Sequence, residues 1–299
     1  MSAVISLRVA GSDADLESWR KVRMAIAPGE RAWTVSEMRA TESPGRLLLL
    51  AEENGAVVGS GVADRSDLGG GFVCPRVLPA ARRRGAGTAI LRALADHCAS
   101  NSHVKVGSGV EDQGSLAFAR RFGFAEVDRQ VEQIREVGTE TEPLVPAGIE
   151  IVSIADRPEL WRQAYDRVAA TFADMAFTET VQVSLADWER DWINTPEASF
   201  VALADGEVVG VASLKLDPEH PGNAENGYTA VRREWRGRGI AKALKRTTLA
   251  WAAGHDVAQI QTWTQRGNDA MRALNEHLGY RYGVVSIRVE SALPVAGLN

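Results

Sequence analysis

The sequence predicts two consecutive α/β domains of about 150 residues each, because three of its patterns occur twice in the same order. The three pairs are Gly55-x-Val-Val-Gly with Gly206-x-Val-Val-Gly, Val77-x-x-x-x-Arg-x-x-Gly-x-Gly with Val231-x-x-x-x-Arg-x-x-Gly-x-Ala, and Phe122-Gly-Phe with Leu278-Gly-Tyr. The offset between the copies drifts by only a few residues. Two copies of one domain, with small insertions in their loops, explain this order.

A linker separates the two copies. Residues 141–148 carry two prolines and a glycine between strand-like segments, which is typical of a connection between domains. Residues 149–154 then alternate between apolar and polar side chains, as a new strand does. We therefore expect one domain over residues 1–146 and a second over residues 147–299.

Both halves show the same predicted order of elements: two helices, a hairpin, a strand leading into the Arg/Gly motif, the helix that this motif opens, a strand, a helix and a closing hairpin. The hairpin turns, Asn54-Gly55 and Asp205-Gly206, supply residues that tolerate positive φ. In the first half the predicted helices are 13–26, 34–41 and 112–122, and the predicted strands are 47–52, 57–64 and 104–109. In the second half the helices are 156–172, 184–194 and 268–278, and the strands are 200–204, 208–216 and 260–263.

The repeated Arg/Gly motif predicts an anion site. The first turn of a helix leaves N–H groups without intrahelical partners, and the helix dipole adds partial positive charge there. Gly85 and Gly87 in the first Arg/Gly loop (residues 82–88), like Gly237 and Gly239 in the second (residues 236–242), remove Cβ atoms that would hold a phosphate away. Neither a P-loop nor a Gly-x-Gly-x-x-Gly motif is present. The loops suit a pyrophosphate; the alternative is a basic helix start on a solvated surface.

Composition restricts the partners. A net charge of −5 and a pI near 5.7 argue against non-specific binding to nucleic acid or to a membrane. Two cysteines give no disulfide framework, and no apolar run has the length of a signal or a membrane span, so we expect a cytoplasmic protein. The five histidines are scattered without metal-ligand spacing, so no metal is expected.

These residues support a resemblance to a known family. Val-x-x-x-x-Arg-x-x-Gly-x-(Gly/Ala) after a strand resembles the acetyl-CoA signature of the GNAT superfamily of N-acetyltransferases, and the segment Asn268-x-x-Met-x-x-Leu-Asn-x-x-Leu-Gly-Tyr280 resembles its second conserved segment. The whole chain is covered, so it is similar to tandem GNAT proteins, of which the mycothiol synthases are one group. The resemblance implies two GNAT folds, each with a mixed α/β sheet that splays after its fourth strand to admit CoA.

The resemblance also implies acetyl-CoA as cosubstrate and assigns residues to it. In the second copy these are Val231, Arg236, Gly237, Arg238, Gly239, Ile240, Ala241, Lys242 and Asn268. In the first copy they are Val77, Arg82, Arg83, Arg84, Gly85, Ala86, Gly87 and Thr88. Main-chain groups near Val231 would pair with pantetheine, and the amides of the second Arg/Gly loop would hold the pyrophosphate. The plain alternative for Asn268 is a helix N-cap.

The sequence departs from the family where a tyrosine is often found to protonate the leaving thiolate. Asn275 stands there in the second copy and Ala119 in the first, and neither can act as that acid. Asn275 stays a catalytic candidate because it could hydrogen-bond the cofactor; the alternative is that it ties its helix to the sheet. Tyr228, Tyr280 or Tyr282 could act instead, although the role we expect for them is packing. For the base that deprotonates the amine, the candidate is Glu225, before which lie Asp217, Glu219 and His220; in the first copy Asp64, Asp67 and Glu111 are comparable.

The expected reaction is direct attack of a primary amine, on a small molecule or a protein, on acetyl-CoA in a ternary complex. Pro75 removes a donor from the fourth strand of the first copy, so we expect the second copy to be catalytic and the first to retain at most CoA binding. The alternatives are a non-catalytic CoA-binding module, and a transferase with another acyl donor, including a mycothiol-synthase-like one. Five aromatic residues could form the acceptor pocket or belong to the core: Trp161, Phe172, Phe177, Trp188 and Trp192.

Overall fold

The structure is a computed structural model that describes residues 4–28, 33–66, 69–174, 183–218 and 220–298. It divides into two compact units, one of Met1–Asp128 with Ser286–Asn299 and one of Arg129–Val285. In the described part of the chain, no helix is both long and apolar enough to cross a membrane.

The first unit is a mixed sheet flanked by helices. Six strands of the described residues lie in the order β1-β2-β3-β4-β5-β12. Its elements are β1 (Ile5–Val9), α1 (Asp13–Ile26), α2 (Val35–Ala40), β2 (Leu47–Glu53), β3 (Ala56–Arg65), β4 (Gly71–Val77), α3 (Ala86–Ser100), β5 (Lys105–Val110), α4 (Gln113–Arg121), the beginning of β6 (Ala125–Glu136) and the end of β12 (Arg281–Ala292). Neighbouring strands are antiparallel except β4 and β5, which are parallel.

The second unit repeats this layout. Its described strands lie in the order β6-β11-β10-β9-β8-β7, and β10 and β11 are the parallel pair. Its elements are β7 (Glu150–Ser153), α5 (Leu160–Val168), α6 (Leu185–Asp187), β8 (Ser199–Ala204), β9 (Glu207–Leu216), β10 (Asn223–Val231), α7 (Ile240–Ala253), β11 (Gln259–Gln265) and α8 (Asp269–His277). A 3-10 segment, Ala169–Asp174, follows α5, and one π-helical turn, Trp188–Trp192, follows α6.

Each sheet takes its last strand from the other half of the sequence. Residues 287–292 of β12 pair antiparallel with β5, and residues 130–136 of β6 pair antiparallel with β11. The chain therefore passes between the compact units after residues 128 and 285, whereas the expected domain boundary is after residue 146. The expected closing hairpins are wrong: each half ends in one strand of 12 residues. In β6 no glycine or proline interrupts the alternation, so nothing there favours a turn.

The two predicted hairpins are confirmed. Asn54 and Gly55 join β2 to β3 with φ of 53° and 80°, and Asp205 and Gly206 join β8 to β9 with φ of 48° and 80°. Positive φ at both central residues gives the strand twist that two-residue hairpins need. The helix opened by each Arg/Gly loop is also present, and its apolar face packs on the sheet through residues such as Ile90 and Leu244, both fully buried.

The parallel strands separate along their length. β10 pairs with β11 only over residues 223–225, although it continues to Val231. In the first unit β4 pairs with β5 only at Gly71 and Phe72, although it continues to Val77. The expected splay after the fourth strand of each sheet is therefore confirmed, and each splay leaves a V-shaped gap that ends at an Arg/Gly loop.

Candidate active site

A cavity of about 740 Å³ fills the V-shaped gap of the second unit, within the size range of small-molecule sites. Its walls come from β10, β11, the second Arg/Gly loop with the start of α7, and α8. The residues assigned to the cofactor that line it are Val231, Arg236, Gly237, Gly239, Ile240, Ala241, Lys242 and Asn268. The sequence-based set is thus brought together, except that the Arg238 guanidinium lies over the ring of Trp235, 4.5 Å from its centroid.

The second Arg/Gly loop opens α7 without any side chain in the way. Gly237 and Gly239 have φ of 75° and 82°, a conformation that costs glycine nothing. Gly239 is the N-cap of α7, and a Cβ on Gly237 would meet no atom within 4 Å. A Cβ on Gly239 would lie 3.8 Å from Cγ of Pro146, an ordinary contact, so the start of α7 leaves room for a pyrophosphate at its first N–H groups.

Arg236 holds this loop against the end of β10. Its Nε donates a hydrogen bond to the carbonyl oxygen of Val231 at 2.9 Å, and its guanidinium also binds Asp174. Arg233 binds Asp174 with a second guanidinium, and these bonds lower the pKa of the Asp174 carboxyl to about 2. Because one carboxylate serves two guanidinium groups, the three side chains keep a net positive charge beside the loop.

Peptide groups of β10 turn into the cavity. The N–H of Arg232 donates to the carbonyl oxygen of Val209 on β9 at 2.9 Å. Because successive peptide groups of a strand point to opposite edges, those of Val231 and Thr229 face the gap. The side-chain oxygens Thr229 Oγ1 and Asn226 Oδ1 are buried and have no hydrogen-bond partner in the described part of the chain. Such unpaired polar groups fit a ligand with amides, as the pantetheine arm has.

A β-bulge interrupts β10 where the two strands part. The pairing register with β9 shifts between Asn226 and Tyr228, on either side of Gly227. A Cβ on Gly227 would lie 2.1 Å from the carbonyl oxygen of Trp192, so only glycine fits. Bulges re-aim neighbouring groups and are common beside active sites. In β4, the corresponding strand of the first unit, the register with β3 has no such shift.

Glu225 lies at the apex of the gap. It is the last β10 residue paired with β11, opposite Gln261, and it lines the cavity. Its Oε2 is 3.3 Å from Nζ of Lys215 on β9, and both side chains are partly exposed. A carboxylate here can accept a proton from an amine that enters the cavity.

The other two catalytic candidates are packed away. Asn275 is fully buried and donates from Nδ2 to Oε1 of Gln133 at 2.9 Å, so it ties α8 to β6. Tyr280 is also buried, its hydroxyl accepts a hydrogen bond from Nδ2 of Asn226 at 3.1 Å, and burial raises its pKa to about 12. Neither is among the residues that line the cavity.

The remaining tyrosines have structural contacts. Tyr228 lines the cavity, but its hydroxyl shares a hydrogen bond of 2.8 Å with Thr171, and burial raises its pKa. Tyr282 is exposed and donates to Glu276. Asn268 caps α8 through a bond from the N–H of Met271 to its Oδ1, so the N-cap alternative holds, and Asn268 also lines the cavity.

Lys245 is a candidate that the sequence analysis missed. It lies in the second turn of α7, is 1% exposed and lines the cavity. Its Nζ is 5.3 Å from the ring centroid of Tyr280, and burial lowers its pKa to about 7. The available signal was its position between Leu244 and Leu249, on the helix face that the pattern assigns to the core.

The expected acceptor aromatics divide between the core and the cavity. Trp188 and Phe172 are buried, and the ring of Trp161 packs 5.6 Å from that of Trp188. Trp192 packs against Tyr228 at 5.2 Å and lines the cavity. Phe177, and the candidate bases Glu219 and Asp67, lie outside the described residues.

The other candidate bases lie away from this cavity's lining. His220 Nδ1 and an Asp217 carboxylate oxygen are 2.8 Å apart. In the first unit Asp64 pairs with Arg46. Among the described residues, no group of three or more His, Cys, Asp or Glu side chains is arranged to hold a metal ion.

The first Arg/Gly loop has the same hydrogen bond to its strand and the same glycine N-cap, but other residues differ. Nε of Arg82 donates to the carbonyl oxygen of Val77 at 3.1 Å, and Gly85, with φ of 96°, is the N-cap of α3. Arg83 has φ of 65°, where the second loop has a glycine. Arg84 pairs with Glu53 at 3.0 Å.

The gap of the first unit offers fewer donors. The N–H of Leu78 donates to the carbonyl oxygen of Val58 on β3, so the backbone of Pro75 faces the gap, and a proline has no N–H. The ring of Phe118 on α4 lies against the start of α3, where a Cβ on Gly87 would be 3.5 Å from it. Asp112 caps α4 in the position that corresponds to Asn268.

Curated relatives are similar to this chain in whole or in part. Mycothiol acetyltransferase of Clavibacter michiganensis subsp. michiganensis is 27% identical over 260 residues, 84% of this chain and 82% of that protein. N-acetylaspartate synthetase of Homo sapiens is 33% identical over 103 residues, 34% of each chain. The match to the second relative thus spans about a third of its length.

Solved structures share the fold of the whole chain. A GCN5-related N-acetyltransferase from Sphaerobacter thermophilus matches with a TM-score of 0.79 and 17% identity, over 98% of this chain and 96% of that one. A tandem GNAT protein from the clavulanic acid biosynthesis pathway matches with a TM-score of 0.74 and 20% identity, over 97% and 98%.

A family model described as the acetyltransferase (GNAT) family matches two regions, residues 13–124 and 158–280. Each region contains one splayed strand pair and one Arg/Gly loop. This chain therefore belongs to the GNAT acetyltransferase family and carries two GNAT domains.

Proposed function

We propose that the second unit transfers an acetyl group from acetyl-CoA to a primary amine by direct attack in a ternary complex. The observation that carries the proposal is the cavity between β10 and β11, which joins the glycine-opened start of α7 to two unpaired side-chain oxygens, on Thr229 and Asn226, and to the carboxylate of Glu225. The peptides of the second Arg/Gly loop hold the pyrophosphate, and those of Val231 and Thr229 receive the pantetheine arm. The alternative of a non-catalytic module is set aside, because the family and its relatives are acetyltransferases.

Glu225 is the proposed base. A primary amine with a pKa near 10 is mostly protonated at neutral pH, so a proton has to leave before the nitrogen attacks. Glu225 lies where the two strands part, beside the bulge at Gly227, which also lines the cavity. Lys215 holds the carboxylate in place until the cationic acceptor arrives and competes for it.

The second unit is the proposed catalytic one. Thr229 has an N–H where the first unit has Pro75, and β10 has a bulge where β4 has none. Phe118 also lies against the start of α3, where a Cβ on Gly87 would be 3.5 Å from its ring. The first unit accordingly contributes at most weak CoA binding through its own Arg/Gly loop.

The acceptor is a small molecule or a protein with a primary amine. The similarity to mycothiol acetyltransferase extends over 82% of that protein, so its acceptor is the first small molecule to test. The name of N-acetylaspartate synthetase places aspartate second in the panel. Donors with longer acyl chains or an aminoacyl group belong in the same panel, because they test the alternative of a transferase with another acyl donor.

The test measures thiol release from acetyl-CoA by the full chain with a panel of amines. We expect release above the hydrolysis background with at least one amine, and Glu225→Gln should lower kcat ~10²–10⁴-fold with little change in KM for acetyl-CoA. The matched control is Glu197→Gln, an exposed carboxylate on the turn before β8. Turnover unaffected by Glu225→Gln would contradict the role of the base, and no turnover with any amine would contradict the proposed reaction.

A further inference from the structure

The leaving group of the proposed reaction needs a proton. When the thioester carbon–sulfur bond breaks, the sulfur keeps the electron pair, and a thiol with a pKa near 8.5 gains from being protonated as it leaves. Asn275 is a buried amide away from the cavity lining, and Tyr280 is held by Asn226. The cavity therefore needs another proton donor.

Lys245 is the buried cation on the wall of this cavity. Its side chain is among the largest fully buried ones, and no carboxylate lies within ion-pair distance of Nζ in the described part of the chain. Nζ lies over the ring of Tyr280, 5.3 Å from the ring centroid. A buried ammonium without a counterion is costly to a fold, so its presence in a ligand cavity points to a use there.

The contacts of Lys245 relate it to the apex of the gap, where the acyl end of the proposed pantetheine arm would lie. The arm begins at the second Arg/Gly loop, next to Val231, and β10 runs back from there to the apex at Glu225. Lys245 contacts Tyr280, whose hydroxyl binds Asn226, the residue that follows the last paired position of β10. The ammonium is thus tied to the apex, on the face of the sheet that carries α7 and α8.

We propose that Lys245 is a catalytic residue that donates a proton from Nζ to the departing sulfur. The inference rests on the proposed acetyl transfer in the second unit. The acceptor nitrogen forms a bond to the acetyl carbon, the bond from that carbon to sulfur breaks, and the sulfur takes the proton of Nζ. The acceptor, which enters as an ammonium, gives up two protons through Glu225 and water; one re-protonates Lys245 and the other goes to solvent.

The electrostatics of the site suit this exchange. Burial lowers the pKa of Lys245 to about 7, so near neutral pH the amine both holds and releases a proton. The titratable group that faces it is Tyr280, at a pKa of about 12, which stays neutral over the working range. The other charged groups around the cavity are Asp174, Lys215, Glu225, Arg236 and Lys242.

The main test replaces the amine with an apolar chain of similar length. Lys245→Met should lower kcat for acetyl-CoA ~10–100-fold at neutral pH and change KM for acetyl-CoA less than about threefold. Lys245→Arg should fail to restore the rate, because a guanidinium keeps its proton. The matched control is Arg246→Met, which removes a charge from the neighbouring position of α7 that does not line the cavity.

The pH profile separates proton transfer from packing. In the wild type, kcat should fall as pH rises beyond about 7–8, because Lys245 loses the proton that it donates. This fall, the alkaline limb of the pH profile, should be absent in Lys245→Met. Lys245→Gln provides a second variant should the methionine protein fail to fold. Variants with wild-type kcat and an unchanged limb would overturn the proposal.

Three further outcomes are decisive. Mass spectrometry after incubation with acetyl-CoA should find Lys245 unmodified; an acetyl group on Lys245 would overturn the proposal, because the residue would then be an acceptor. If the wild type transfers acetyl groups and the Lys245 variants are unimpaired, only this inference fails. If the wild type binds acetyl-CoA but transfers the acetyl group to no amine, both the proposed function and this inference fail.

Discussion

Arg236 is bonded to Val231, five residues before it, through a hydrogen bond from Nε to the carbonyl oxygen at 2.9 Å. Arg82 and Val77 repeat this bond in the first unit at 3.1 Å. The arginine of the motif thus fastens the glycine loop to the end of the strand that faces the gap. In the proposed anion site, peptide N–H groups bind the anion and the arginine holds them in position.

Arg236→Lys should weaken acetyl-CoA binding ~10-fold, because a lysine cannot bond Val231 and Asp174 at once through a planar fork. The effect should appear in KM and in the dissociation constant more than in kcat. Isothermal titration of the full chain measures it, with Arg162→Lys, on the exposed face of α5, as the control. Unchanged affinity would mean that the loop keeps its shape without this bond.

Gly227→Ala should destabilise the second unit by ~1–3 kcal/mol and impair acetyl transfer, since its methyl group would collide with the carbonyl oxygen of Trp192. Thermal unfolding and kcat measure the two effects. Gly138→Ala is the matched control, because a Cβ there meets nothing within 4 Å and φ is not positive. A stable, fully active Gly227→Ala protein would contradict the role given to the bulge.

Removal of residues 286–299 should unfold the first unit. This segment supplies the strand that pairs with β5, together with Val289, Val295 and Leu298 of the first core. Limited proteolysis should then cut within residues 1–128 while the second unit persists. The milder Val289→Ala should cost ~1–3 kcal/mol, as loss of buried methyl groups does. A truncated chain with a fully protected first unit would show that the strand is dispensable.

Lys245→Met should raise the melting temperature at pH 7 and below, and the gain should shrink as pH rises toward 10. Burial lowers the pKa of Lys245 from 10.5 to about 7, so between these values the unfolded chain binds more protons than the folded one. Wild-type stability from this group therefore increases with pH across that window. Thermal unfolding curves of both proteins from pH 6 to 10 measure the difference in melting temperature. A difference that stays constant with pH would contradict the lowered pKa of Lys245.

The duplication, the hairpin turns, the splayed strands and the glycine loops could be predicted because each depends on residues close in sequence. Gly55 and Gly206 define turns, and Gly237 and Gly239 define a helix start. The exchange of β6 and β12 between sheets could not be predicted in this way, because an alternating strand carries no signal for its partner. The place of Lys245 in the cavity wall beside Tyr280 could not be predicted, because the two residues are distant in sequence.

Isothermal titration of acetyl-CoA into the full chain, with Gly239→Val compared to Gly85→Val, measures whether the second unit binds acetyl-CoA at the start of α7. A side chain at Gly239 forces an unfavourable φ and stands at the start of α7, where the diphosphate of the cofactor would lie. We predict that Gly239→Val weakens binding more than ~10-fold and that Gly85→Val has a much smaller effect. Undiminished affinity in Gly239→Val would contradict the account of the second unit as the acetyl-CoA site.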